Sequence, residues 1–370
     1  PKDNTPYTVQ YFYENDNGEF EEKAEQESER TGRTGSSVGV SDDDKVPDND
    51  THYFDSDNAN NVLEGIIAAD GSLVLKVYFK KKTPITITPA DASKTYDGTE
   101  LTQPLYSVTD REFTENAVAV DIPQQNSQYC YTLSNGDVVY ASTKGSVTNA
   151  GTEVNLIDPS EDKKPKILRN GVDVTEQYKI TCEKGTLTIT PATVTITAKS
   201  EEFTYDGNTH SNAGYDVDGL VGNDAIEAVV EGSITYPSQS PVANEVKSHE
   251  FTTGIAGNYT VSYVAGTLTM KTAEQAITVT ANSNSQTYNG EALVDNGYSL
   301  TAGSLLEGDR LVVTVVGSAT NVADTETGNN KITEVKVMHG DEDVTANYKV
   351  TTVDGTLTIT PATVTITAKS

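Results

Sequence analysis

The amino-acid sequence predicts a mostly β protein, a tandem array of small β modules that forms an elongated rod. One observation behind this prediction is that residues 185–200, GTLTITPATVTITAKS, recur letter for letter at residues 355–370. Apolar residues alternate with threonine on both sides of Pro191, which is the period of half-buried strands around a stiff joint. The other is composition, since only 35% of residues are hydrophobic and tryptophan is absent. Both favour small β modules, each with its own core, over one large helical body.

Residues 1–82 differ in sequence from the rest and form the first predicted module. Residues 7–13 (YTVQYFY) and 73–79 (LVLKVYF) are predicted strands, the second with an apolar residue at every other position. Residues 19–30 (EFEEKAEQESER) are strongly charged. An extended, solvated strand is favoured there over an exposed helix, because glycines follow and a helical apolar stripe is missing. Residues 41–50 (SDDDKVPDND) are a predicted polar loop.

This first module resembles the mucin-binding-protein (MucBP-like) repeats of Gram-positive surface proteins. The resemblance is carried by YTVQYFYENDNGEF near the start, RTGRTGSSV in the middle and LKVYFKKK at the end of the module. It implies a ubiquitin-like fold of the β-grasp type for residues 1–82. The long acidic middle segment departs from the pattern of the family.

A different sequence pattern begins at residue 83 and is repeated three times, which predicts modules at residues 83–191, 192–272 and 273–361. Residues 362–370 then repeat the opening strand and are predicted to start a following module. After each opening strand comes a Tyr-Asp-Gly or Tyr-Asn-Gly sequence, a strong signal for a tight turn because glycine tolerates positive φ. The tyrosines and glycines of these turns are Tyr96, Gly98, Tyr205, Gly207, Tyr288 and Gly290.

Each module closes with a second tyrosine and a Gly-Thr-Leu-Thr strand. The closing tyrosines are Tyr178, Tyr259 and Tyr348, and the closing strands begin at Gly185, Gly266 and Gly355. All these tyrosines are predicted packing anchors, and those of the turns should keep the ring inside and the hydroxyl in water. Stacking of the turn tyrosines on a sugar ring is the alternative. The spacing of about 80–90 residues between closing strands is too long for a solenoid and predicts independent domains in a row.

The Tyr-Asp-Gly turn, the DVTxxY segment and the GTLTITP ending together resemble the MBG-type (YDG-containing) repeats of large bacterial adhesins. This resemblance spans residues 83–361, with three ordered motifs in each repeat. It implies mostly β modules of an extracellular stalk, with no catalytic residues to carry over.

Two cysteines, Cys130 and Cys182, leave two interpretations open. A disulfide between them would close a loop of about 52 residues and stabilise the fold by about 4 kcal/mol. Alternatively both are free thiols, with Cys182 pointing into the core because it lies two residues after Ile180 on a strand. A nucleophilic cysteine would need a nearby histidine, and neither cysteine has one in the sequence.

No cofactor or metal site is predicted. His52, His210, His249 and His339 are scattered over separate modules, so a rod cannot bring them together, and they are predicted surface residues. The aspartates of residues 42–60 could offer oxygens to Ca²⁺, but they lack the glycine and the distal glutamate of a calcium loop. A solvated loop is therefore favoured, and weak Ca²⁺ binding stays open without a motif to indicate it.

Charge and hydropathy narrow the class of protein. With 55 acidic and 26 basic residues the net charge is −29, which excludes nucleic acid and anionic lipid as partners. The chain offers no apolar run that could span a membrane.

We expect a monomeric, non-catalytic stalk or spacer segment of a Gram-positive cell-surface adhesin. It would be extracellular, about 150 Å long and anchored to the cell wall through other regions. The alternative is a binding module, centred on residues 1–82, for mucin, a host glycan or a matrix protein.

Overall fold

The computed structural model describes residues 2–110, 113–116, 118–120 and 128–368. Throughout these residues the protein consists of β-strands and short 3-10 helices, with no α-helix. It divides into two compact units, Pro1–Pro191 and Ala192–Ser370. The division falls directly after Pro191, the residue predicted to be a joint. The finer division into four modules stays a prediction.

The first 82 residues form a mixed sheet with a small side pair. The strands are Thr5–Tyr13 (β1), Gln26–Gly32 (β2), Ser37–Gly39 (β3), His52–Phe54 (β4), Glu64–Ile66 (β5) and Val74–Lys81 (β6). The sheet has the order β2-β1-β6-β4, with β1 parallel to β6, while β3 and β5 pair separately. The strands predicted at residues 7–13 and 73–79 thus form the central pair, and Val9, Leu75 and Val77 on them are fully buried.

The predicted polar loop contains the 3-10 helix Asp43–Lys45 and a buried carboxylate. Asp44 accepts hydrogen bonds from Arg30 Nη1 (2.8 Å), from the Tyr11 hydroxyl (2.6 Å) and from the Ser41 backbone N–H (2.7 Å). Burial alone would raise the pKa of Asp44, but the hydrogen bonds from Arg30, Tyr11 and Ser41 outweigh it and hold that pKa well below its usual range. This acid therefore ties the loop to the sheet through an ion pair.

The remainder of the first unit contains thirteen of the described strands. They are Thr83–Pro89 (β7), Ala92–Thr95 (β8), Tyr106–Asp110 (β9), Phe113–Asn116 (β10), Val118–Val120 (β11), Gln128–Thr132 (β12), Val138–Ala141 (β13), Thr143–Lys144 (β14), Gly151–Ile157 (β15), Lys166–Arg169 (β16), Val172–Asp173 (β17), Tyr178–Cys182 (β18) and Lys184–Thr190 (β19). They form sheets of order β10-β9-β7-β18, β11-β12-β13-β16-β17 and β14-β15-β19-β8.

The second unit contains fifteen of the described strands, in smaller sheets. They are Ala192–Ala198 (β20), Glu201–Thr204 (β21), Tyr215–Asp218 (β22), Ala225–Glu231 (β23), Val242–Thr253 (β24), Tyr259–Val264 (β25), Gly266–Lys271 (β26), Gln275–Ala281 (β27), Asn284–Thr287 (β28), Tyr298–Ala302 (β29), Asp309–Val316 (β30), Lys331–His339 (β31), Glu342–Asp343 (β32), Tyr348–Val353 (β33) and Leu357–Thr360 (β34). The sheet orders are β22-β20-β25, β21-β26-β24-β23, β29-β27-β33, β28-β34 and β30-β31-β32.

Among the described strands between residues 83 and 361, one arrangement of parallel strand pairs occurs three times. The opening strand lies parallel to the strand that starts at the closing tyrosine, as in β7 with β18, β20 with β25 and β27 with β33. The next short strand lies parallel to the closing strand, as in β8 with β19, β21 with β26 and β28 with β34. Because parallel neighbours need a long crossover between them, each stretch brings its start and its end side by side. We call these stretches the first, second and third repeat.

Glycine is required at the start of each closing strand because another part of the backbone approaches it too closely for a side chain. A Cβ atom on Gly185, Gly266 or Gly355 would lie 2.5, 2.3 or 2.1 Å from the carbonyl oxygen of Pro89, Lys199 or Asn282, respectively. Each of these carbonyls lies at or just beyond the end of the opening strand. A side chain at the glycine would therefore force the opening strand away from the closing strand.

A fully buried asparagine lies opposite each closing glycine. The three are Asn155, Asn244 and Asn330, which face Gly185, Gly266 and Gly355. Each donates its side-chain amide to two backbone carbonyls, one of them at the end of the opening strand. These buried asparagines therefore hold the corner of each repeat between its first two strands.

Candidate functional site, a junction between repeats

Each repeat pairs its closing tyrosine with an aspartate at the start of another strand. The tyrosine follows a one-turn 3-10 helix that directs its ring into the core, and all three rings are buried. The hydroxyl donates to the aspartate Oδ2 at 2.5 Å in every repeat, in the pairs Tyr178–Asp137, Tyr259–Asp224 and Tyr348–Asp309. We call Asp137, Asp224 and Asp309 the loop aspartates. They were not predicted, although each follows a glycine by one or two residues in a turn that leads into a strand.

Asp309 is the meeting point of two repeats. Its side chain is completely buried, and its Oδ1 accepts from the hydroxyl of Tyr205 at 2.8 Å and from Nδ1 of His339 at 2.7 Å. The closing tyrosine, Tyr348, donates to Oδ2. Tyr205 belongs to the turn of the second repeat, whereas the other residues belong to the third. A buried carboxylate thus joins the two repeats through donors from both sides.

Apolar packing continues across the same boundary. One hydrophobic cluster includes Tyr205, Leu268 and Met270 from the second repeat together with Val279 and Val337 from the third. The expectation of a separate core for each module is therefore wrong at this boundary, because the turn of one repeat inserts its tyrosine into the next.

Backbone and ring contacts close the junction around that tyrosine. Gly207 has φ of +89°, and a Cβ there would lie 2.3 Å from the carbonyl oxygen of Glu307 in the third repeat. The ring of Tyr236 meets the ring of His339 edge to face, with 5.7 Å between centroids. Ser238 also donates to Glu342 at 3.0 Å. The turn therefore fits closely against the third repeat, and only glycine allows that approach.

The electrostatics keep both phenols of the junction protonated. Burial, and then the hydrogen bond and negative charge of Asp309, raise the pKa of Tyr205 and of Tyr348 well above the usual range of tyrosine. Both hydroxyls therefore remain donors far into alkaline conditions. For His339 to donate to the carboxylate, its proton must lie on Nδ1.

The three turn tyrosines have different surroundings despite equal backbone positions. The backbone N–H of Tyr96, Tyr205 and Tyr288 donates to the last strand of its own repeat at 2.8, 3.0 and 2.8 Å. The turn glycines all have positive φ. However, Tyr205 is 1% exposed, Tyr96 is half-buried and Tyr288 is 44% exposed. The expected buried ring is wrong for Tyr288, and the expected wet hydroxyl is wrong for Tyr205. In the second repeat the turn tyrosine is buried by the repeat that follows, so the turn motif alone does not set its exposure.

Both cysteines are free thiols in the structure, which describes Cys130 on β12 and Cys182 on β18. Burial raises the pKa of the Cys130 thiol. Cys182 is exposed, so the expectation that it points into the core is wrong. Its strand begins with the buried Tyr178, but the alternation fades after Ile180 and the last two positions are both exposed.

The histidines do not come together. His52 contacts the backbone carbonyl of Glu14, while His210 bonds Asp206 in its own turn. His339 is a partner of the junction, which corrects its interpretation as a simple surface residue. Within the ranges described above, no group of three or more His, Cys, Asp or Glu side chains is placed to hold a metal ion.

The fold and the junction define a mostly β protein with a repeated module. Residues 194–269, inside the predicted second repeat, match the profile of the MBG domain (YGX type). This domain is typical of extracellular surface proteins, and the match is confined to this stretch of the chain. No helix among the described residues is both long and apolar enough to cross a membrane.

Other comparisons add little. No curated protein matches the chain. Two similar solved structures are the I9–I11 tandem from titin and the TIE protein of Bacillus anthracis. The titin tandem is 12% identical, over 75% of this chain and 100% of that one, with a TM-score of 0.19. The TIE protein is 7% identical, over 96% of this chain and 66% of that one, with a TM-score of 0.14. Scores this low carry no argument about the fold.

Proposed function

We propose that this chain is a non-catalytic stalk segment of a bacterial cell-surface adhesin that projects a binding region away from the cell wall. The observation that carries the proposal is the junction, in which Tyr205 of one repeat is held by Asp309 of the next. The match of residues 194–269 to a surface-protein module supports the location. The net charge of −29 would keep neighbouring copies apart.

A stalk must resist bending where its modules meet. Hydrogen bonds to a buried charged group contribute about 1.5–3 kcal/mol each, and bending the junction would break the bond from Tyr205 and expose its ring. Because the Glu307 backbone also lies against Gly207, the junction has little room to slide. These contacts favour a stiff connection over a flexible linker.

The N-terminal module fits the same proposal. Its central parallel pair, β1 with β6, and the order β2-β1-β6-β4 support the β-grasp type of fold that the resemblance to MucBP-like repeats implies. In a stalk, such a module would serve as one further unit of length.

Small-angle X-ray scattering of the full chain tests the stalk. A rod of about 150 Å has a radius of gyration of about 43 Å, whereas one globule of this length has about 21 Å. A value near the globular one would overturn the proposal. Asp309→Ala should broaden the distribution of interatomic distances, because it leaves the junction donors without their acceptor. Asp341→Ala, at an exposed position one loop away, is the matched control and should change nothing.

A second candidate function has one observation in its favour. A groove of about 530 Å³ in the first unit is lined by His52, Tyr53 and Phe54 and by polar residues that include Asn49 and Glu176. Aromatic rings beside polar groups are suited to binding a sugar. Binding of the full chain to immobilised mucin that is lost in Tyr53→Ala, but kept in Tyr288→Ala, would support an adhesin module. If the full chain does not bind mucin, the stalk is the only one of the two functions that remains.

A further inference from the structure

The turn of the third repeat has the geometry of a junction without a neighbour. The backbone of Tyr288 is bonded to Thr360 at 2.8 Å, just as Tyr205 is bonded to Lys271 at 3.0 Å. Gly290 has φ of +84°, close to the +89° of Gly207, so the two turns share their shape. However, a Cβ on Gly290 would meet no atom within 4 Å, whereas one on Gly207 would meet the third repeat. The turn at residues 288–290 of the third repeat is therefore exposed, whereas the corresponding turn at residues 205–207 of the second repeat is covered by the third repeat.

The residues that follow the third repeat indicate a partner for this turn. Residues 362–370 have the same sequence as residues 192–200, the opening strand of the second repeat. In that strand Val194 and Ile196 are completely buried, but Val364 is 79% exposed and Ile366 is 91% exposed. Residues 361–368 form no strand. An opening strand is therefore present without the sheet that would bury it, directly beside an uncovered turn.

We propose that the turn at residues 288–290 is a docking surface for another repeat of the same kind, whose opening strand is formed by residues 362–368. The loop aspartate of that repeat would accept the hydroxyl of Tyr288, as Asp309 accepts that of Tyr205. The inference rests on the proposed stalk, because it extends the same junction by one step.

Three features specify the partner. It must carry an aspartate that its own closing tyrosine holds in place, as in the Tyr259–Asp224 and Tyr348–Asp309 pairs. It must present a loop backbone that can approach a glycine with no side chain. Its opening strand must use the alternating valine and isoleucine of residues 364 and 366. The second and third repeats both supply such an aspartate and loop, so either can serve as the partner in a test.

The test extends the full chain beyond Ser370. One extended chain adds a copy of residues 201–272, which completes a second copy of the second repeat and supplies a copy of Asp224. Another adds a copy of residues 284–361 and supplies a copy of Asp309. Because the two added repeats differ in sequence, failure of one to fold leaves the other to decide. An increase in the β signal of circular dichroism, together with protection of the added repeat's own amides from hydrogen exchange, establishes that the added repeat is folded.

Hydrogen exchange at residues 284–291 is the first readout. We expect exchange to slow at least tenfold in an extended chain relative to the 370-residue chain. Tyr288→Phe should leave the unfolding midpoint of the original chain unchanged, because its hydroxyl lies at an exposed position, but should lower that of the extended chain. Replacing the loop aspartate of the added repeat by asparagine should remove this effect of Tyr288→Phe.

The variant Tyr205→Phe distinguishes failure of the docking proposal from failure of the stalk proposal. It should lower the midpoint of both the original and the extended chain, since it weakens the junction already present. If Tyr205→Phe has this effect while residues 284–291 exchange at an unchanged rate beside a folded added repeat, the docking proposal is overturned and the stalk survives. If Tyr205→Phe has no effect in either chain, the junction itself contributes nothing and both proposals fail.

Discussion

Removal of one buried asparagine should destabilise its repeat by an amount that the structure allows us to work out. Asn244 is completely buried, and its Nδ2 donates to the carbonyls of Lys199 (2.9 Å) and Asn212 (2.8 Å). Asn244→Ala leaves both carbonyls without this donor, and a buried unsatisfied group costs about 1–3 kcal/mol.

A second contribution opposes the first. The Oδ1 of Asn244 has no hydrogen-bond partner among the described residues and faces the backbone at Gly232. The alanine variant also removes this unsatisfied acceptor, which returns roughly the cost of one group. The net loss is therefore about 2–3 kcal/mol, near the cost of one unsatisfied carbonyl plus that of a small void. Asn244→Asp should be worse, because it removes both donors and places a negative charge beside two carbonyl oxygens.

Hydrogen exchange of the full chain, followed on peptides from residues 192–272, is the suitable assay because a chain with several units does not unfold in two states. A loss of 2–3 kcal/mol corresponds to exchange faster by about 30- to 150-fold at amides that exchange through unfolding of this repeat. Asn223→Ala, at an exposed loop position, is the matched control. If Asn244→Ala falls within about 0.5 kcal/mol of this control, or if Asn244→Asp is the milder change, the reasoning about the carbonyls is refuted.

Three further predictions concern single repeats. Gly266→Ala should destabilise the second repeat by several-fold more than Gly257→Ala in denaturant unfolding, because only the first new Cβ would meet a backbone carbonyl; equal effects would contradict this. Stability that depends on the raised pKa of Tyr348 is complete below pH of about 10 and is lost as pH rises above it, so Tyr348→Phe should flatten the alkaline limb of the unfolding midpoint between pH 8 and 11.5. The hydrogen bonds from Arg169 hold the pKa of Asp137 below its usual range, so this pair stabilises the first repeat above pH of about 4 and loses that effect in acid. Arg169→Met should then be most destabilising near neutral pH and converge with the parent protein at low pH, and a difference that grows in acid would count against the pair.

Much of the fold could be predicted from local sequence. The alternation of apolar residues with threonine in residues 185–200 places β19 and β20 correctly on either side of Pro191. The Asx-Gly pairs identify turns because a glycine with positive φ is needed wherever the chain reverses tightly. These features depend on a few neighbouring residues, and such signals can be recognised in one sequence.

The buried asparagines could not be predicted in this way. Asparagine is mostly exposed in proteins, and the local sequences around Asn155, Asn244 and Asn330 (EVNLI, VANEV and GNNKI) share no motif. What they share is a position opposite the closing glycine, which only strand pairing reveals. An alignment of the repeats on their closing glycines, read backwards to the preceding strand, is the signal that could have found them.

The exposure of the turn tyrosines is even harder to predict from the local sequence. Tyr205 and Tyr288 occupy the same motif, with the same backbone bond to the end of their own repeat, yet only Tyr205 is buried. The difference comes from a residue more than a hundred positions away, Asp309, on another repeat. A property set by the neighbour cannot be read from the motif itself.

The position of the two halves of the junction has an evolutionary consequence. The second and third repeats each carry a tyrosine turn and a loop aspartate, and the junction uses the turn of one with the aspartate of the other. Such a head-to-tail interface is heterologous and does not close on itself. Duplication of a single coding segment would therefore supply both halves of such a joint with each added copy, so that an array of these repeats could lengthen without a new kind of contact.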